Sequence, residues 1–106
     1  LDQTKIRQAL FNLLRNAQES IQHTHGRILF SASVVPDGVQ ITISDNGCGM
    51  TEDQIENAFR PFVTYKPGGT GLGLAVTRQI IEAHQGTLCV ESTPKEGTSF
   101  YIFLPG

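Results

Sequence analysis

Val39-Gln40-Ile41-Thr42-Ile43-Ser44-Asp45-Asn46-Gly47-Cys48-Gly49-Met50 is the stretch whose reading decides the fold. Val39, Ile41 and Ile43 alternate with Gln40, Thr42 and Ser44, the period of a strand with one buried face. The strand ends at Asp45, where the glycines take over. Just upstream, residues 27–34 read as another strand, with Ile28, Phe30, Ala32 and Val34 on one side. Pro36-Asp37-Gly38 between them is a turn signal, so the two strands form a hairpin. Downstream, residues 87–92 and 98–104 read as two more strands joined by the turn Pro94-Lys95-Glu96-Gly97.

Helices fill the intervals. Over residues 3–22, Ile6, Leu10, Leu13, Leu14, Ala17 and Ile21 recur at helical spacing and make one apolar face. At about 100° per residue, Asn12, Asn16 and Glu19 fall together on a different face. Gly26 closes the loop that follows. Thr51-Glu52-Asp53-Gln54 has the form of a capping box, with Thr51 as N-cap, and opens a short helix. Residues 59–70 carry Phe59, Pro61, Phe62, Pro67, Gly68 and Gly69 and read as an irregular loop or lid. A second long helix runs from Gly71 to about His84, with Gly86 placed to stop it. Strands that arrive in adjacent pairs favour hairpins over the strict alternation of a dinucleotide-binding fold. The expected architecture is an α+β two-layer sandwich, a mixed and mainly antiparallel sheet with helices on one face.

Length and charge narrow the options. The 106 residues make one compact domain, 1–106, and are too few for two. A net charge of −2 with no basic stripe argues against nucleic acid. No apolar run approaches the length that spans a bilayer, and no signal peptide is visible. A cytoplasmic domain is expected, with a membrane-anchored parent left open. Cys48 and Cys89 lie far apart without a C-x-x-C pair and read as reduced thiols. His23 and His25 flank Thr24 in a loop and read as an accidental pair; His84 reads as a helix cap.

Three motifs carry chemistry. An Asn side-chain oxygen is a neutral, hard ligand suited to Mg²⁺, and Asn16, with Asn12 one turn away, can supply one. Arg15 lies near that face and either meets phosphate or stays at the surface. Asp45 holds a carboxylate at a strand end, where it can accept from an exocyclic amine such as that of adenine. Gly47 and Gly49 let the backbone come close to a flat ring and take positive φ, and Met50 can pack on that ring. Taken alone, Asp45-Asn46-Gly47 is also an ordinary turn. Gly69-Thr70-Gly71-Leu72-Gly73-Leu74 opens a helix, where free N–H groups and the helix dipole favour phosphate. It follows a loop and not a strand, and it lacks the Gly-Lys-Ser/Thr of a P-loop. Lys66, just before it, is placed to close over terminal phosphates or to stay solvated.

In this order the motifs resemble the catalytic and ATP-binding domain of bacterial two-component sensor histidine kinases, within the superfamily that includes DNA gyrase, Hsp90 and MutL. Asn12-Leu13-Leu14-Arg15-Asn16-Ala17 resembles the N box and Asp45 to Met50 the first glycine box. Phe59-Arg60-Pro61-Phe62 resembles the F box, Gly69 to Leu74 the second glycine box, and Gly97-Thr98-Ser99-Phe100 the terminal G-T-x-F element. The resemblance implies the Bergerat ATP-binding fold and the cofactors ATP and Mg²⁺. Asp45 would bind the adenine amine with Thr98 nearby, and Asn16 would hold Mg²⁺. Asn12 and Lys66 would contact phosphates, and Gly71 and Gly73 would face them. Residues 59–70 would be the ATP lid.

Asn12 then discriminates among relatives. In ATPases of the superfamily a glutamate four residues before the Mg-binding Asn activates water; Asn12 cannot act as a base. The γ-phosphate would be kept for another nucleophile, a histidine on a separate dimerisation domain of the same parent, and pass on to a response regulator. That dimerisation domain is absent from this chain, so the domain is not expected to phosphorylate itself. Two other readings compete: a non-catalytic nucleotide-binding or docking module, and an ATPase or serine kinase of the same superfamily.

Overall fold

The computed structural model describes residues 2–59 and 73–106. Helix α1 (Gln3–Ser20) leads into the hairpin β1 (Ile28–Val35) and β2 (Gly38–Asp45). A short α2 (Glu52–Asn57) follows, then α3 (Gly73–Ala83), β3 (Thr87–Thr93) and β4 (Gly97–Pro105). The four strands form one sheet in the order β1-β2-β4-β3, antiparallel at every pairing among the described residues. The expected sandwich is therefore what is found, with α1 and α3 packed on the sheet and on each other.

The register explains where the core sits. Ile43 of β2 pairs with Phe30 and Phe100, and Phe100 pairs with Val90, so these four lie across one face of the sheet. Ala32, Ile41, Ile102 and Leu88 make the next row. Residues opposite one another share a face because side chains alternate along each strand. Phe100, Ile43, Ile102 and Leu88 are buried there against Ala9, Leu13 and Ala17 of α1 and Ile80 and Ile81 of α3. Ser44, Ser99 and Tyr101 lie on the other, more open face, where Ser44 and Ser99 hydroxyls meet at 2.8 Å.

Two details of the sequence reading change. The side of β1 with Ile28, Phe30, Ala32 and Val34 does face the helix layer, but β1 is the sheet edge and α1 scarcely covers it. Phe30 stays 50% and Val34 87% exposed. The stop of α3 belongs to Gln85, not to Gly86. Gln85 takes the left-handed conformation, φ 62°. Its N–H donates to Glu82 carbonyl at 2.9 Å, and Gly86 N–H donates to Ile81 carbonyl at 2.9 Å. That pair of bonds is a Schellman closure with Gln85 at the C′ position.

Capping elsewhere follows the sequence. Thr51 Oγ1 accepts from Gln54 N–H at 3.1 Å and Gln54 Oε1 accepts from Thr51 N–H at 2.9 Å, which completes the capping box. Asp2 caps α1 by accepting from Lys5 N–H at 3.1 Å. His84 does bind a carbonyl near the end of α3, Ile80 O at 2.8 Å, and its Nε2 accepts from Asp2 N–H at 3.0 Å. The start of α1 is thereby tied to the end of α3.

Candidate nucleotide-binding site

One row of the sheet is polar. Asp45 pairs with Thr98, and Thr98 pairs with Ser92, so the three side chains lie across the helix-facing side of β2, β4 and β3. Asp45 is 9% exposed and Thr98 4%. A buried carboxylate needs partners, because each lost hydrogen bond to water costs on the order of 1–3 kcal/mol. Oδ1 has two: Gly47 N–H donates to it at 2.8 Å and the Ser20 hydroxyl at 3.1 Å. Oδ2 is buried with no hydrogen-bond partner among the described residues. A carboxyl oxygen left this way, at the end of a strand beside a glycine loop, has spare capacity to accept a hydrogen bond.

The glycine loop is fixed from both sides. Cys48 N–H donates to Ser20 carbonyl at 2.9 Å, and Lys95 N–H donates to Cys48 carbonyl at 2.7 Å. Met50 N–H donates to Ser92 Oγ at 2.8 Å. Gly49 has φ +67°, as the sequence led us to expect, whereas Gly47 does not take positive φ. The close approach of Gly47 and Gly49 is to the protein itself. A Cβ on Gly47 would strike Ser20 Oγ and the Ser20 carbonyl; one on Gly49 would strike the Thr93 carbonyl. The glycines therefore let the loop dock on the end of α1 and the end of β3, and this places Asp45.

Along α1 the candidate residues form a line. Ser20 touches Asp45, Asn16 lies one turn before Ser20, and Asn12 one turn before that, about 6 Å per four residues. Asn12 and Asn16 are both half-buried. They thus run away from the carboxylate along a single helix face. Arg15 is exposed and pairs with Glu19 at 3.8 Å. It lines a groove with Phe11, Leu14, Gln18 and Ile28.

The second glycine box is reached only at its end. Gly73 begins α3, and Leu74 packs half-buried against the core. Lys66, Thr70, Gly71 and Leu72, like most of the segment 59–70 expected to form a lid, lie outside the described residues. Phe59, at the start of that segment, lies under the Arg78 guanidinium, 4.5 Å from its ring centre. The cation over the ring face ties the end of α2 to α3.

Two contributors escaped the sequence reading. Ser20 occupies a buried position on the apolar stripe of α1, and a hydroxyl at such a position was the available signal. Ser92 lies in the same row as Asp45, two strands over, and nothing local marks it. Asn46 looks like a site residue but turns away from it. Its Oδ1 accepts from Arg27 N–H at 2.7 Å and its Nδ2 donates to His25 carbonyl at 2.9 Å. His23 Nε2 also meets Asn46 carbonyl at 2.8 Å, so this pair of histidines serves the loop.

Comparison with known proteins agrees with this fold. The profile of the histidine kinase-, DNA gyrase B- and HSP90-like ATPases matches residues 1–106, and the chain belongs to that family. Sporulation kinase B of Bacillus subtilis (strain 168) is 43% identical over 104 residues, covering 98% of this chain and 24% of that protein. The chain thus spans under a quarter of that relative's length. Among solved structures, the mycobacterial sensor histidine kinase MprB superimposes with a TM-score of 0.88 at 28% identity, over 100% of this chain and 75% of the other. Full-length ShkA in complex with AMPPNP superimposes with a TM-score of 0.81 at 29% identity, over 96% of this chain and 22% of the other.

Proposed function

We propose that this domain binds Mg-ATP and presents the γ-phosphate to a histidine on a separate dimerisation domain of its parent sensor kinase. The observation that carries the reading is the buried, unpartnered Oδ2 of Asp45 at the end of β2. An adenine exocyclic amine supplies the missing donor, and Thr98 lies directly across the register. Family membership and the AMPPNP complex of ShkA support a nucleotide as the ligand.

The remaining assignments follow from chemistry. Asn16 has the neutral oxygen and half-buried setting that suit Mg²⁺ beside phosphate. Bound Mg²⁺ would neutralise phosphate charge. Asn12 and Lys66 would steady the phosphates, and the backbone from Thr70 to Leu74 would cradle them. Phosphoryl transfer depends mainly on positioning and charge neutralisation, so the domain has little covalent chemistry to perform. No base stands at Asn12 to activate water. Glu19, seven residues further along α1, is paired with Arg15. The phosphate is thus retained for the histidine acceptor and, through it, for a response regulator.

Calorimetry with AMPPNP tests the site. Asp45→Asn presents an amide where the carboxylate accepted, and affinity should fall at least about tenfold. Retained affinity in a folded Asp45→Asn domain would remove the carboxylate from recognition. Adding the helical domain of a relative and following label onto its histidine distinguishes a kinase from a docking module, which would bind nucleotide and transfer nothing.

A further inference from the structure

We propose that Ser20 is a positioning residue for base selection, acting through Asp45 to favour a 6-amino purine over a 6-oxo purine. The inference rests on the reading of Asp45 as the base anchor and adds the group that orients it.

Ser20 and Asp45 are 8% and 9% exposed, so their contact lies within the protein. A carboxylate rotates readily about its last torsion, and rotation exchanges its two oxygens. Two donors on one oxygen stop that exchange. Gly47 N–H at 2.8 Å and Ser20 Oγ at 3.1 Å both address Oδ1, from the glycine loop and from the end of α1. Oδ2 is left as the oxygen with no partner. A fixed acceptor oxygen at that point welcomes an N–H and repels a carbonyl oxygen. A 6-amino purine offers the first and a 6-oxo purine the second, which gives the arrangement its selectivity.

Ser20 has one hydroxyl proton and two acceptors. Its Oγ also lies 2.9 Å from Ala17 carbonyl, one turn back. Such three-centre sharing is common at helix ends. The bond to Ala17 is a local helix feature and has no bearing on the base. The bond to Asp45 spans 25 positions of sequence and fixes the acceptor. The two roles predict different ligand dependence. Loss of a helix-end bond weakens every nucleotide alike, whereas loss of carboxylate orientation weakens only the nucleotide whose amine uses it.

The test is a cycle between protein and ligand. Calorimetry with Mg²⁺ compares ADP with inosine diphosphate on the 106-residue chain, on Ser20→Ala, and on Asp45→Asn. The wild type should prefer ADP by about tenfold or more. Ser20→Ala should weaken ADP about five- to tenfold and inosine diphosphate less than about twofold. Ser20→Cys keeps a weak donor and should fall between, which covers the case of an alanine variant that folds poorly. Equal weakening of both nucleotides, or an unchanged ratio in both Ser20 variants, overturns the proposal. A wild type without preference, or an Asp45→Asn that keeps it, defeats the base-anchor reading itself, a separate failure visible in different proteins.

Discussion

Ser92 Oγ lies at a junction of three groups. It accepts from Met50 N–H at 2.8 Å and lies 2.8 Å from both Gly97 carbonyl and Thr98 Oγ1. It therefore joins the exit of the glycine loop to the strand that carries Thr98. Replacing it with alanine leaves Met50 N–H unpaired in a half-buried place. Ser92→Ala should lower stability by about 1–2 kcal/mol, measured by denaturant unfolding. Nucleotide affinity should fall with it, since Met50 and Thr98 both flank the expected base. A variant with wild-type stability would show that water replaces the hydroxyl without loss. Asn46 teaches the opposite lesson at this scale. It sits next to Asp45 in sequence, and its side chain is committed to the loop behind.

Individual elements end where their local chemistry says, with one exception of interest. Thr51→Ala removes the acceptor of the α2 capping box and should cost about 1 kcal/mol. At the end of α3, Gln85 holds a left-handed conformation that disfavours any side chain with a Cβ. Glycine takes that conformation freely, so Gln85→Gly should raise stability by about 0.5–1 kcal/mol, read as a higher Tm. A drop in Tm would mean that the Gln85 side chain has a contact of its own. Gly86 is the residue the sequence pointed to, because a glycine after an amphipathic run is the usual sign. The register of the closure, set by the bonds to Ile81 and Glu82, put the strained residue one place earlier.

Across the whole molecule, position under the helix layer decides what an apolar residue contributes. Phe30 and Phe100 flank Ile43 in the same row. Phe100 is 0% exposed beneath the helices and Phe30 is 50% exposed at the edge. Phe100→Ala should cost about 3–5 kcal/mol, and Phe30→Ala no more than about half of that. Comparable losses would show that the edge is covered in solution. At the same scale, the absence of a carboxylate at Asn12 predicts slow phosphate release by this domain alone. Turnover like that of a dedicated ATPase would contradict the proposed role.

Alternation, helical spacing and turn residues by themselves determined the element order, the paired strands and the two-layer class, because each depends on neighbours a few residues apart. Asp45 and the Asn12–Asn16 face were singled out on the same local ground, whereas Thr98 and the proposed roles of all four came from the family resemblance. Only the tertiary structure decided that Ser20 bonds to Asp45 and Ser92 to Met50 and Thr98, that Gly47 and Gly49 make room for the protein's own backbone, and that β1 is a half-exposed edge. Those facts arise from strand register and from the docking of α1 across 25 positions of sequence onto Asp45. Such distances lie beyond the reach of local pattern, and packing alone brings these groups together.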